Sequence, residues 1–223
     1  MVDRLEEMGA FFDARSESYD TVHTGHIDGG LTGKRVPAWF LPAHTKTLLD
    51  LGIGTGLELE TVFERFPDVQ VTGLDVSENM LQKLKEKYAS RMGQITLVQE
   101  SYLTYDFGTA RFDAALSVMS LHHYTHAVKT ELYRRIYDAL KPGGAYVECD
   151  YMLFGDDASA REEGMFEEYE NLRAQQMLDP SREYHFDTPC TVHHQLSMLE
   201  EAGFTGVKLI WRTGNTAVVM GRR

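Results

Sequence analysis

The fold of this chain is indicated by the stretch TLLDLGIGTG, residues 47–56. Its first part, 48–51, is a short apolar run around one aspartate, the pattern of a buried β-strand. Glycines then alternate at positions 52, 54 and 56, and residues 57–66 have helical spacing. Glycine allows positive φ and lets a ligand touch the main chain. The helix after the turn offers free N–H groups and a partial positive charge, which favour a carboxylate or phosphate.

Strands and helices alternate along the rest of the chain. Apolar runs predict strands at 69–76, 95–98, 112–119 and 145–152, and helices are predicted at 77–92 and 128–140. Such alternation indicates a mainly parallel sheet with helices on both faces. The last two runs, 205–212 and 216–221, are joined by Gly214-Asn215 and predict an antiparallel hairpin. We therefore expect one doubly wound α/β domain over residues 1–223.

Two regions lie outside this alternation. Residues 3–19 have helical spacing, 24–33 form a glycine-rich stretch predicted to be a loop, and 34–40 predict a short helix. Together they suggest an N-terminal helical lid over residues 1–45. A strongly acidic helical insertion is predicted at about 154–188, and a further helix at 191–202.

Composition narrows the class of partner. The formal net charge is −12 and no basic run is present, which argues against nucleic acid as a partner. The two cysteines are far apart and are expected to be reduced thiols. We found neither a signal peptide nor an apolar run long enough to span a membrane. The expectation is a cytoplasmic enzyme, monomeric or homodimeric, with a small-molecule substrate.

An acidic residue follows the glycine turn at a spacing that suits binding of a ribose. Asp75 ends the second predicted strand, 19 residues after Gly56 (75 − 56 = 19). There it can accept hydrogen bonds from ribose hydroxyls. Dinucleotide-binding turns favour the spacing GxGxxG, but this chain has GxGxG and places Leu57 where the third glycine would be. A nucleoside ligand other than a dinucleotide is therefore favoured.

These features resemble the class I methyltransferases that depend on S-adenosylmethionine (SAM). The resemblance runs from about Phe12 to Arg223 and rests on residues 50–56, Asp75, Phe112-Asp113, 117–123 and 140–144. It implies a Rossmann-like seven-stranded sheet of order 3-2-1-4-5-7-6, with strand 7 antiparallel. It also implies SAM as the methyl donor and S-adenosylhomocysteine as the product.

The resemblance assigns roles to individual residues. The glycines 52, 54 and 56 approach the methionine part of SAM, Asp50 lies beneath it, Asp75 holds the ribose, and Val76 flanks the adenine. Either Glu100 or Ser101 contacts the adenine amine. The cofactor-binding residues implied are Tyr19, Asp50, Gly52, Gly54, Gly56, Asp75, Val76, Met80, Glu100, Ser101 and Ser117.

Histidines and aromatic residues supply candidates for the substrate side. His122 and His123 are candidate catalytic residues, since histidine can act as a general base near neutral pH. His122 and His126 are four residues apart and would share a helix face, but no third ligand has supporting spacing, so no metal site is predicted. His193 and His194 are expected to be surface or capping residues. The substrate-side candidates are His23, Tyr124, Asp150 and Tyr151.

Three functions are compatible with the sequence. The first is in-line methyl transfer from SAM to a small molecule. The second is modification of tRNA with SAM or a carboxylated SAM, because residues 204–220 show a local likeness to the wobble-uridine tRNA-modifying methyltransferases. The third is a module that binds SAM or a nucleotide without catalysis.

Overall fold

The computed structural model describes residues 4–25 and 28–223, and His23 without its side chain. Its helices and strands alternate through most of the chain. In order they are α1 (Met8–Arg15), α2 (Tyr19–Gly25), α3 (Gly30–Phe40), β1 (Thr47–Leu51), α4 (Leu59–Arg65), β2 (Gln70–Asp75), α5 (Glu78–Lys87), a 3-10 helix (Ala89–Gln94), β3 (Ile95–Gln99), β4 (Phe112–Val118), α6 (His126–Ala139), β5 (Leu140–Tyr151), α7 (Ala158–Gln175), α8 (Val192–Glu201), β6 (Thr205–Thr213) and β7 (Thr216–Arg222).

The seven strands form one sheet of order β3-β2-β1-β4-β5-β7-β6. Strands β1 to β5 pair in parallel, and β7 is antiparallel to both β5 and β6. The sheet order, the antiparallel strand 7 and the C-terminal hairpin are therefore confirmed. The described helices include none that is long and apolar enough to cross a membrane.

The centre of the sheet is covered on both faces. All seven residues of β4 are buried, as are four of the five in β1. A parallel strand covered on both faces reads as a continuous apolar run, which explains the composition of these segments. The carboxyl ends of the central strands therefore meet at one edge, where the glycine turn and the residues after β4 and β5 lie together.

The glycine-rich stretch 24–33 is not simply the predicted loop. Helix α2 continues to Gly25, and α3 begins at Gly30, before the predicted start at Lys34. Gly33 lies inside α3, where an added Cβ would come within 3.3 Å of Thr216 and 3.4 Å of Trp211. Close packing against the C-terminal hairpin thus uses glycine within a helix, although its intrinsic helix propensity is low.

The N-terminal helices are fixed to the central domain by two acids. Asp13 accepts a hydrogen bond from Ser77 Oγ at 2.6 Å and another from the Asn79 backbone, at the N-terminus of α5. Asp20 accepts from Thr55 Oγ1 in the glycine turn and pairs with Lys87 on α5. These contacts hold α1 and α2 over the edge of the sheet. Of the helix predicted at 3–19, α1 forms over Met8–Arg15, and α2 begins at Tyr19, where the predicted helix ends.

The acidic insertion is a helix anchored by one buried carboxylate. Glu162 of α7 lies 2.5 Å from His126 Nε2 and 2.7 Å from His194 Nδ1, on α6 and α8. The chain then returns to the edge of the sheet, where the Thr188 backbone N–H donates to the His122 carbonyl at 2.6 Å. That return brings the segment 183–188 over the residues that follow β4.

Candidate functional site

The glycine turn is held open by its backbone conformation and by Asp75. Gly52, Gly54 and Gly56 have φ of +69°, +51° and +69°, a region that disfavours side chains. Asp75 accepts hydrogen bonds from the backbone N–H groups of Gly54 and Ser77, each at 2.9 Å. Asp75 therefore has the predicted place beside the turn.

Two further acids are buried beneath the turn. Burial and the neighbouring Glu58 raise the pKa of Asp50, and burial raises the pKa of Glu58 to about 7. Burial raises the pKa of Asp75 to about 6, against the opposing effect of its backbone hydrogen bonds. The carboxyl groups of Asp50 and Glu58 interact with each other, and both are buried. Two carboxyl groups in contact cannot both ionise readily, so this pair supports the turn from below by sharing a proton.

A cavity opens in front of this turn. It is lined by six predicted cofactor residues and by one residue predicted on the substrate side, Tyr124. The six are Tyr19, Gly52, Gly54, Asp75, Val76 and Met80. A Cβ at Gly54 would meet nothing closer than 3.9 Å, so the backbone there faces open space. The turn, the carboxylates and the cavity fit a nucleoside that carries an ammonium group, as SAM does.

Five predicted cofactor residues lie outside the lining of this cavity: Asp50, which is buried, Gly56, Glu100, Ser101 and Ser117. Gly56 packs on the other side, where a Cβ would lie 3.0 Å from Tyr88. Ser117 is fully buried within β4, and Ser120 lines the cavity instead. Glu100 is exposed and accepts from Thr104, while Ser101 accepts from the Leu103 backbone. The contact of Glu100 or Ser101 with the adenine amine remains a prediction.

Six residues that the sequence did not indicate also line the first cavity. Met8, Phe12, Tyr102, Met119, Ser120 and Glu183 line the cavity without having been singled out. Tyr102 donates to Tyr124, which in turn donates to Glu183. Met119 has φ +56°, an uncommon conformation for a residue with a side chain, and its place directly after β4 was the available signal.

A second cavity, of about 370 Å³, adjoins the first. The two share Phe12, Tyr19, Met119 and His123 as lining residues. The second cavity is also lined by two predicted residues, His122 and Tyr151, and by His185 and Asp187. The side chain of His23, predicted on the substrate side, lies outside the described part of the chain.

His122 is fixed by a buried aspartate. Its Nδ1 lies 2.5 Å from Asp150 Oδ1, and the other oxygen of Asp150 accepts from the Leu121 backbone. Burial lowers the pKa of His122, but Asp150 and Asp187 outweigh burial and raise it to about 10. Asp150 is 1% exposed and does not line the cavity. It therefore orients His122, whereas the sequence had suggested contact with substrate.

His123 and Asp187 complete the cluster. Asp187 Oδ1 lies 3.5 Å from His122 Nε2 and 3.2 Å from His123 Nδ1. Burial and the neighbouring His122 lower the pKa of His123, and hydrogen bonds from both histidines hold the pKa of Asp187 well below its usual range despite burial. The prediction that His122 and His126 share a helix face is wrong, because α6 begins only at His126.

Comparisons with known proteins indicate a methyltransferase domain and fold. A family model described as a methyltransferase domain matches residues 48–144. The chain is 26% identical over 183 residues to the carboxy-S-adenosyl-L-methionine synthase of Campylobacter hominis, covering 79% of this chain and 76% of that protein.

Solved structures share the fold. Human N-acetylserotonin methyltransferase in complex with SAM aligns with a TM-score of 0.68 at 17% identity, covering 98% of this chain and 59% of that one. Phosphoethanolamine N-methyltransferase 2 of Haemonchus contortus, in complex with S-adenosylhomocysteine, aligns with a TM-score of 0.66 at 20% identity, covering 92% and 46%. The chain thus spans about half the length of these two structures.

The domain, the fold and the glycine turn lead to one class. Residues 48–144 match a methyltransferase domain, and the chain shares its fold with solved SAM-dependent methyltransferases, whose methyl donor is SAM, as the sequence predicted.

Proposed function

We propose that this enzyme transfers the methyl group of SAM to a small-molecule acceptor in the second cavity. The observation that carries the proposal is the shared wall: Phe12, Tyr19, Met119 and His123 line both cavities. A donor in the first cavity and an acceptor in the second would meet at these side chains.

The chain's contribution to the reaction is mainly orientation. SAM supplies a methyl group on a sulfonium, which is already a good leaving group, so aligning the acceptor provides much of the catalysis. The Asp75 carboxylate and the glycine turn hold the donor, while Tyr19 and Met119 lie between the two sites. His122 and His123 are the predicted catalytic residues, and both reach the acceptor cavity.

The size and lining of the second cavity favour a small molecule over tRNA. The second cavity is covered by Phe11 and Phe12 of α1 and by His185, which stacks on Phe11 at 3.4 Å between ring centroids. Asp187 and Tyr151 also line this cavity, and the net charge of the chain is −12. Polyanions bind through arrays of lysine and arginine, which this cavity lacks among its described residues.

A second candidate is carboxylation of SAM, suggested by the likeness to carboxy-S-adenosyl-L-methionine synthase. A carboxylate-bearing reactant calls for an available cation. Arg15, among the described residues lining the second cavity, pairs with Glu6 and lies over Phe11. The other cation there, His122, pairs with Asp150 and Asp187. Methyl transfer is therefore favoured.

The experiment is a turnover assay with methyl-labelled SAM and a panel of phenols, amines, thiols and oxo acids. We expect S-adenosylhomocysteine and a labelled small-molecule product. Labelled tRNA as the better product would contradict the proposal, and so would a product heavier than SAM by one carbon dioxide with no methylated acceptor. Tyr151→Phe keeps the ring in the acceptor cavity and removes its hydroxyl, so it should alter the KM for the acceptor and leave SAM affinity unchanged.

A further inference from the structure

We propose that His122, His123 and Asp187 form a binding site for a divalent first-row transition-metal ion such as Zn²⁺ at the wall of the acceptor cavity. One ligand atom from each of the three residues lies within 4.8 Å of the other two. Two imidazoles and one carboxylate are a donor set that binds such ions. All three residues line the same cavity.

The spacing of the ligand atoms carries the assignment. An ion with bonds of about 2.0–2.1 Å in tetrahedral geometry holds its ligand atoms roughly 3.3 Å apart. Asp187 Oδ1 lies 3.5 Å from His122 Nε2 and 3.2 Å from His123 Nδ1.

A second cluster in the same chain shows the alternative arrangement. Around Glu162, His126 Nε2 is 2.5 Å from one carboxylate oxygen and His194 Nδ1 is 2.7 Å from the other. These separations are well below the roughly 3.3 Å between ligand atoms around such an ion, so they leave no room for one between nitrogen and oxygen. The cluster around Glu162 is therefore a hydrogen-bonded anchor for α7.

The surroundings of His122 also suit a metal ligand. Metal-binding histidines commonly donate their other ring N–H to a carboxylate, which fixes the tautomer. Asp150 Oδ1 lies 2.5 Å from His122 Nδ1, so Nε2 is directed toward Asp187.

Three protein ligands leave a coordination position open toward the cavity. An ion there would bind water or an oxygen of the acceptor, and it would favour the deprotonated oxygen that attacks a methyl group. This role rests on the methyl transfer proposed above, whereas metal binding itself does not.

The test is calorimetric titration of chelator-treated protein with Zn²⁺, without SAM or acceptor, and with Co²⁺ as a spectroscopic probe. We expect one equivalent to bind and Co²⁺ to show visible bands of a site with nitrogen and oxygen ligands. Asp187→Asn and His123→Gln should each weaken Zn²⁺ binding by at least tenfold. Asp187 is 53% exposed, so its variant should fold, and retained SAM binding checks that it does.

The matched control is His194→Gln in the cluster around Glu162, which should leave the affinity and stoichiometry of Zn²⁺ unchanged. Absence of stoichiometric binding by the wild type would overturn the metal site. Unchanged binding in both Asp187→Asn and His123→Gln, or loss of binding in His194→Gln, would overturn it as well. SAM turnover without metal dependence would leave methyl transfer standing and remove only the role of the ion.

Discussion

The cofactor side and the acceptor side of this enzyme are built in different ways. The cofactor side is organised around one continuous backbone turn, 52–56, with Asp75 accepting from the Gly54 N–H, and side chains complete its wall. The acceptor side is made of side chains from four separate segments, around Phe12, His122, Tyr151 and Asp187. A backbone site tolerates changes in side chains elsewhere, whereas an assembled site can change its chemistry through one residue. Variants on the cofactor side should therefore change SAM affinity, and variants on the acceptor side should change turnover without changing SAM affinity.

The largest effect is expected for Gly52→Ala. The new Cβ would lie 2.0 Å from Ser120 Oγ, and φ at this position is +69°, so both packing and backbone would be strained. SAM affinity should fall by more than about 100-fold, an energy near 3 kcal/mol, measured by calorimetry. Gly164→Ala in α7, where a Cβ would meet nothing within 4 Å, is the matched control and should bind SAM normally. Normal binding by Gly52→Ala would show that the turn does not shape the cofactor site.

The second largest effect is expected on stability, from Glu58, one of the buried acids beneath the glycine turn. Burial raises the pKa of Glu58 from its ordinary 4.5 to about 7, so its folded form binds a proton more tightly than its unfolded form. This contribution to stability is present below about pH 4.5 and is lost as pH rises through about 7. Glu58→Gln should therefore be more stable than the wild type at about pH 8, by an energy on the order of 3 kcal/mol, and the difference should shrink at about pH 5.

Denaturant unfolding across this pH range measures the effect. Glu60→Gln, on the exposed side of the same turn of α4, is the control and should show no such pH-dependent gain, since its carboxylate pairs with Arg35 at the surface. A Glu58→Gln variant with the same pH profile as the wild type would mean that Glu58 is not held protonated beneath the turn.

A smaller effect is expected on the acceptor side from Asp150→Asn. The amide would disturb the orientation of His122 while leaving the glycine turn intact, so turnover should fall by about 10–100-fold. SAM affinity should stay unchanged. Steady-state kinetics with the acceptor found in the panel and calorimetry with SAM measure the two effects. An equal loss of turnover and of SAM affinity would contradict the separation of the two sides.

The smallest effect is expected for His194→Gln. It removes one partner of Glu162 and leaves His126 in place, at a side chain that is 43% exposed. We expect a loss of stability of about 1 kcal/mol or less, seen as a small decrease in melting temperature. SAM affinity and turnover should not change. A large loss of turnover would instead make the α7 anchor part of the acceptor site.

The sequence predicted the backbone side well because its signals are local. The alternation of strands and helices, the GxGxG spacing and the offset to Asp75 lie within a few dozen residues, and each appears in the fold as expected. The acceptor side depends on contacts between distant residues. Asp187 reaches His122 and His123 only because the chain returns after α7, and neither periodicity nor spacing encodes that return. The start of α3 also depends on a distant contact, because packing of Gly33 against Trp211 outweighs the low helix propensity of glycine.

The most direct test of the account is calorimetry of SAM with the wild type and with Asp75→Ala. Asp75 is expected to hold the ribose while it also accepts from the Gly54 backbone N–H. We predict one equivalent of SAM bound by the wild type and affinity about 10–100-fold weaker for Asp75→Ala, an energy of roughly 1.4–3 kcal/mol for a hydrogen-bonded charged group. Equal affinities, or no binding of SAM to the wild type at millimolar concentration, would contradict the account.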